Sequence, residues 1–120
     1  MTGEELRDAV QDLLRQLGYR QVHFRAGQNR RGHWQIPIHG DAGWPDVFAV
    51  RGTFQVAIEC KGDKEPFRPG QPEWLQALSQ VGAAWVLRPV DDLQAIARWL
   101  AQPATAPRVY GWAAAGVVLR

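Results

Sequence analysis

Three residues near the middle of the chain, Asp46, Glu59 and Lys61, have the types and spacing for hydrolysis at a phosphate. Cutting a phosphodiester near neutral pH calls for a divalent cation on hard oxygen ligands, an activated water, and positive charge where the transition state turns negative. Two carboxylates and a lysine meet that list. Lys61 also runs against the habit of the chain, which uses arginine twelve times and lysine only at positions 61 and 64. A compact ammonium whose pKa responds to its surroundings suits water activation better than a guanidinium that stays protonated.

An acid, any residue, then lysine is a short pattern, and an ordinary charged pair on the wet face of a hairpin would read the same way. The elements around it are what give it weight. PDVFAV, a turn at Arg51-Gly52 and TFQVAIECK read as a β-hairpin. Alternation along its second strand puts Phe54, Val56, Ile58 and Cys60 on one face and Gln55, Ala57, Glu59 and Lys61 on the other. Glu59 and Lys61 therefore point the same way. Asp46 begins the first strand, so antiparallel pairing brings it beside Glu59, and a metal site would sit there.

The other elements must hold this hairpin. Leu6, Val10, Leu13, Leu14 and Leu17 recur at helical spacing, Thr2 and Glu5 fit a capping box, and Gly18 is placed to end the helix. QVHFR alternates like a strand, AGQNRRGH is a loop, and WQIPI is a second short strand that Pro37 would confine to an edge. Gly62 to Gly70 is a polar loop, QPEWLQALSQV a helix with Pro72 in its first turn, AAWVLR an apolar strand, and DDLQAIARWLAQ an amphipathic helix. This order predicts an α/β or α+β domain with a mixed sheet flanked by helices over residues 1–102. The tail, 103–120, opens as a linker, while RVYGW and GVVLR are strands for the chain's own sheet or for a partner.

At 120 residues and 46% apolar content there is room for one domain and one core. The N-terminus has neither the basic start nor the apolar run of a signal peptide, and no stretch nears the ~18 apolar residues of a membrane span. A soluble cytoplasmic protein is expected. The single Cys excludes an internal disulfide and a Cys-rich zinc site. Net charge is only +2, but Leu13 to Gly40 holds no acid and carries Arg15, Arg20, Arg25, Arg30 and Arg31 with three histidines. That is either a positive field for a phosphate backbone or a solvated surface.

Longer matches run along the chain: GEELRDAV, HFRAGQNRRGHW, G-W-P-D at Gly43 to Asp46, I-E-C-K at Ile58 to Lys61, P-G-Q-P-E-W-L-Q-A-L at Pro69 to Leu78, and G-A-A-W-V followed by V-D-D-L. In this order, over Thr2 to Leu100, the chain resembles the VRR-NUC group of PD-(D/E)XK nucleases. The resemblance implies a restriction-endonuclease-like mixed β-sheet flanked by α-helices. It implies Asp46 and Glu59 as ligands of Mg²⁺ or Mn²⁺, with the backbone carbonyl of Cys60 as a third. Lys61 would be the catalytic lysine and Gln71 the helix glutamine beside the site. The family's first-helix glutamate matches Glu5 or Glu4, with Glu5 preferred, although a capping-box role explains Glu5 equally well.

These readings together predict an endonuclease acting on DNA, with Arg20, Arg25, Arg30, Arg31, Lys64 and Arg68 holding the backbone. The resemblance suggests branched DNA such as a Holliday junction. A homodimer is expected, because two strands of a junction need two sites and the tail is richly apolar. The rival reading is a DNA-binding or assembly module that keeps the fold without cleaving; RNA as substrate is a third. The intact set Asp46, Glu59, Lys61 and Gln71 favours an enzyme.

Other chemistry is less well supported. His23, His33 and His39 with Cys60 match no common zinc spacing, Ser79 lacks a nucleophile-elbow sequence, and the glycines form no phosphate cradle. Trp34 and Trp44 could contact nucleic acid, but tryptophan is more often core. Cys60 reads as a small core residue.

Overall fold

The computed structural model describes residues 1–24, 27–28, 31, 34–35 and 40–112, with the side chains of 27, 28, 34 and 35 excepted. The chain opens with α1 (Gly3–Gln16), whose capping box forms as the sequence predicts. Thr2 Oγ1 accepts from the Glu5 N–H at 3.0 Å, and the Glu5 carboxylate accepts from the Thr2 N–H at 2.9 Å. Leu6, Val10 and Leu14 form its buried stripe. Gly18, at φ 81°, takes the left-handed turn into β1 (Arg20–His23).

Beyond the small pair β2 (Gly27–Gln28) and β3 (Trp34–Gln35) comes the hairpin of β4 (Val47–Arg51) and β5 (Phe54–Cys60). Arg51 pairs with Phe54, so the connecting residues are Gly52 and Thr53, one position later than the sequence suggests. Gly52 has the positive φ that a two-residue hairpin loop demands. Helix α2 (Gln71–Ser79) leads to β6 (Ala83–Leu87), α3 (Leu93–Ala101), a short 3-10 turn at Pro103–Thr105 and β7 (Val109–Tyr110).

The main sheet has the order β1-β4-β5-β6-β7. Its β1, β4 and β5 are antiparallel neighbours, while β5, β6 and β7 run parallel. On one face α1 and α3 pack Leu6, Val10, Leu14, Ile96 and Leu100 against Val56, Ile58, Trp85 and Leu87. On the other, α2 packs Leu75 and Leu78 against Ala57, Ala84 and Val86. The result is a mixed five-stranded sheet flanked by three helices, an α/β architecture compatible with the restriction-endonuclease-like class. Strand β6 is buried along its whole length, which is why AAWVL carries no alternation.

The first part of the tail belongs to this sheet. Residues Val109 and Tyr110 pair with Ala84 and Trp85, and Trp112 is fully buried with its indole N–H donating to the Ala84 carbonyl at 2.8 Å. Val109, Tyr110 and Trp112, which the sequence reading gives first to a dimer contact, are instead used by the chain's own sheet; residues 113–120 lie outside the described ones. No helix among the described residues is long and apolar enough to cross a membrane.

Candidate active site

Strand pairing brings the two carboxylates together. Val47 faces Ile58 across the hairpin, so the next step of the ladder sets Asp46, just ahead of β4, against Glu59. There the side chains replace ladder bonds: the Asp46 N–H donates to Glu59 Oε1 at 3.2 Å, and the Cys60 N–H donates to Asp46 Oδ2 at 2.9 Å. Each carboxylate is held by the other's strand.

Gln71 completes the frame. Its Nε2 donates to Glu59 Oε2 at 3.0 Å, while its Oε1 accepts from the Arg68 N–H at 2.7 Å, fixing the amide at both ends. Gln71 reaches this position because α2 starts against the loop that carries Asp46. Gly70, the N-cap, has φ 88°, and Gly43 has φ 104°. A Cβ on Gly43 would collide with the Gly70 backbone, and a Cβ on Gly70 would collide with the Ala42 carbonyl. Trp74 adds a second tie, donating from its indole to the Asp41 carbonyl at 3.0 Å and meeting Trp44 edge-on at 4.9 Å.

Lys61 lies on the same face as Glu59, as alternation predicts, but the face is not wet. Glu59 is 4% exposed and Lys61 0%, which removes the reading of a solvated charged pair at a hairpin end. The ammonium stands 3.6 Å from Glu59 Oε2 and 3.5 Å from Glu65 Oε2, and 5.5 Å above the Phe67 ring. Both carboxylates are beyond good hydrogen-bond length, and among the described residues the buried Nζ has no hydrogen-bond partner. Glu65 is itself fixed, accepting from the Gly62 N–H at 3.0 Å. That bond, more than any other influence, holds its carboxyl below the usual range.

Electrostatics mark the same place. Burial, and next the charge of Asp46, push the Glu59 carboxyl up to about 8, with Lys61 opposing. Burial and the two nearby carboxylates also push the Cys60 thiol well up, so it is a core group and no nucleophile. The Glu59 carboxyl is thus held up by its burial and by the neighbouring Asp46 carboxylate, a repulsion that bound positive charge would relieve. Among the described residues no three His, Cys, Asp or Glu side chains gather in a metal-holding group. What this place offers a cation is the carboxylate pair of Asp46 and Glu59, with the Cys60 carbonyl as the third donor that the resemblance implies.

The sequence candidates divide on this geometry. Asp46, Glu59, Cys60, Lys61 and Gln71 come together; Glu5 and Glu4 do not join them. The Glu5 carboxylate is spent on the Thr2 cap, whose N–H bond lowers its pKa, and Glu4 lies exposed with Arg7 at 3.7 Å. The end of α1 nonetheless abuts the site, since a Cβ on Gly3 would stand 3.3 Å from the Cys60 carbonyl oxygen. Lys64 and Arg68 are exposed on the loop between β5 and α2, and Arg31 is exposed as well. Arg20 is exposed at the far end of β1 from His23, roughly 10 Å away at strand spacing. Arg25 and Arg30, with His33 and His39, lie outside the described residues.

Two contributors escaped sequence reasoning. His23, weighed as a zinc ligand and as part of the basic segment, has its Nδ1 2.8 Å from the Asp46 carbonyl. Arg88, at the end of β6, donates to the Gly62 carbonyl at 2.6 Å and so fixes the loop that carries Glu65. Both contacts depend on register between distant strands, for which the sequence carries no local signal.

No family model and no curated protein matches the chain. Among solved structures, it is similar to the crystal structure of a protein of unknown function, AF1548, at 17% identity and a TM-score of 0.37. That likeness covers 87% of this chain and 55% of the other, so the chain spans about half the length of its structural neighbour.

Proposed function

We propose that this chain is a Mg²⁺- or Mn²⁺-dependent endonuclease that hydrolyses phosphodiester bonds in DNA. One observation carries the reading: the antiparallel pair Asp46 and Glu59 lies beside a fully buried Lys61 whose ammonium has no hydrogen-bond acceptor among the described residues. Asp46, Glu59 and the Cys60 carbonyl would hold the cation. When bound, it supplies a Lewis acid for the phosphoryl oxygens and lowers the pKa of water. Gln71 keeps Glu59 turned toward that position. Lys61 orients the attacking water, and its charge offsets the negative charge that grows as the new P–O bond forms and the ester oxygen leaves. Lys64 and Arg68 lie exposed on the adjoining loop, where a backbone phosphate would pass. Phosphate contacts of this kind position a duplex without reading bases, which suits selection by DNA shape.

The resemblance to VRR-NUC nucleases extends the proposal to branched DNA such as a Holliday junction; the need for two cuts on a junction extends it to a homodimer, and the N-terminal sequence to a cytoplasmic enzyme. The test is cleavage of linear, flapped, single-stranded and four-way DNA in Mg²⁺ or Mn²⁺ against EDTA. The expected result is metal-dependent cutting, strongest on branched substrates; binding without cutting under every metal condition would favour a non-cleaving module.

A further inference from the structure

Asp46 is pinned at three points. Its N–H is taken by Glu59, its carboxylate by the Cys60 N–H, and its carbonyl by His23. The third contact arises where the β1–β4 ladder stops. His23 and Val47 form the last pair of that ladder, so no strand residue remains to donate to Asp46. The imidazole reaches one step further than the backbone can, with Nδ1 2.8 Å from the Asp46 carbonyl oxygen. A carbonyl oxygen only accepts, so the proton must lie on Nδ1. Nε2, buried and without a partner, gives the ring nothing else to serve among the described residues.

We infer that His23 is a positioning residue for Asp46, orienting this metal ligand through its backbone carbonyl. The inference rests on the reading of Asp46 and Glu59 as a cation site. A ligand carboxylate is useful only when its rotation is fixed before the cation arrives, and residues that orient ligands from outside the coordination shell change metal affinity about 10- to 100-fold when removed. For Asp46 the side chain is oriented by Cys60, and the peptide that carries it by Glu59 on one side and His23 on the other. Loss of the imidazole donor frees the carbonyl of the peptide between Asp46 and Val47, beyond the last pair of the β1–β4 ladder.

The experiment is calorimetric titration of Mn²⁺ into the full chain without DNA, for wild type, His23→Asn, His23→Gln and His23→Leu. An Asn amide nitrogen can stand where Nδ1 stands, whereas Gln places its amide nearer Nε2 and Leu has no donor. The expected result is wild-type affinity within about threefold for Asn and a loss of about tenfold or more for Gln and Leu. Melting curves in EDTA identify folded variants, and Gln supplies the comparison if Leu does not fold. Equal Mn²⁺ affinity in wild type and Gln overturns the role of His23 while leaving the metal site standing. Equal weakening by Asn and Gln also overturns it, reducing His23 to packing. A wild-type chain that binds no Mn²⁺ overturns the metal site itself.

Discussion

Gly43 and Gly70 meet backbone to backbone, and neither has room for a Cβ. Gly43 leads into Asp46 and Gly70 begins the helix that presents Gln71, so this contact sets the distance between the two halves of the site. Both residues also hold positive φ. Gly70→Ala should therefore destabilise the fold by roughly 1–3 kcal/mol from backbone strain alone. It should also slow cleavage beyond what stability explains, because relief of the clash moves Gln71 away from Glu59. Denaturant melts and rates on folded protein check the two effects separately. Wild-type values for both would mean that the loop and helix accommodate the methyl group without disturbing the site.

Lys61→Met keeps most of the buried volume and removes the charge. Turnover at saturating DNA should fall by about two orders of magnitude, while Mn²⁺ and DNA binding change little. A large loss of DNA affinity at an unchanged saturated rate would make Lys61 a backbone contact.

The elevated Glu59 pKa gives a pH dependence whose sign can be worked out. Its carboxyl titrates near 4.5 when unfolded and at about 8 in the folded chain, so between these values the folded state binds more protons. Its contribution to stability is therefore lost as pH rises from about 4.5 to 8, and a cation that replaces the proton restores it. The melting-temperature gain from Mn²⁺ should accordingly increase between pH 6 and 8, with protons released on binding at the lower end. Glu59→Gln, with no carboxyl to titrate, should lose this increase. A gain independent of pH in the wild type would contradict the assignment of the proton to Glu59.

Trp112 ties the tail to the domain. Trp112→Ala should cost about 3–5 kcal/mol, the range for truncating a buried aromatic side chain, measured by denaturant unfolding. Trp112 itself is then not available to a dimer interface built from the tail. Light scattering should give twice the 13.5 kDa chain mass, and a chain ending at Trp112 should shift toward monomer. A full-length monomer that still cuts both strands of a junction in one encounter would rule the dimer out.

Period-two alternation and a hairpin turn sufficed to put Asp46, Glu59 and Lys61 together from sequence, because each is a local property of two adjoining strands. The burial of Lys61 was not legible, since it is created by Phe67 and the rest of the loop folding over a face that the alternation leaves polar. The same holds for His23, whose role exists only through the register of β1 on β4. Glu5 shows the opposite case: its capping role is local and forms as expected, while its place relative to the site depends on how α1 meets β5. At the tail, the apolar pattern of RVYGW fits any sheet edge, and it is the open edge of β6 that takes it.

The central claim, that Asp46 and Glu59 are two ligands of one catalytic cation, is tested most directly by Asp46→Asn. With its partner substitution Glu59→Gln, it replaces one carboxylate ligand at a time by an amide of nearly the same size. Single-turnover cleavage of a four-way junction in Mn²⁺ should be abolished in both, with melting curves in EDTA showing a folded chain and DNA binding retained. Near wild-type cleavage by either folded variant would contradict the claim.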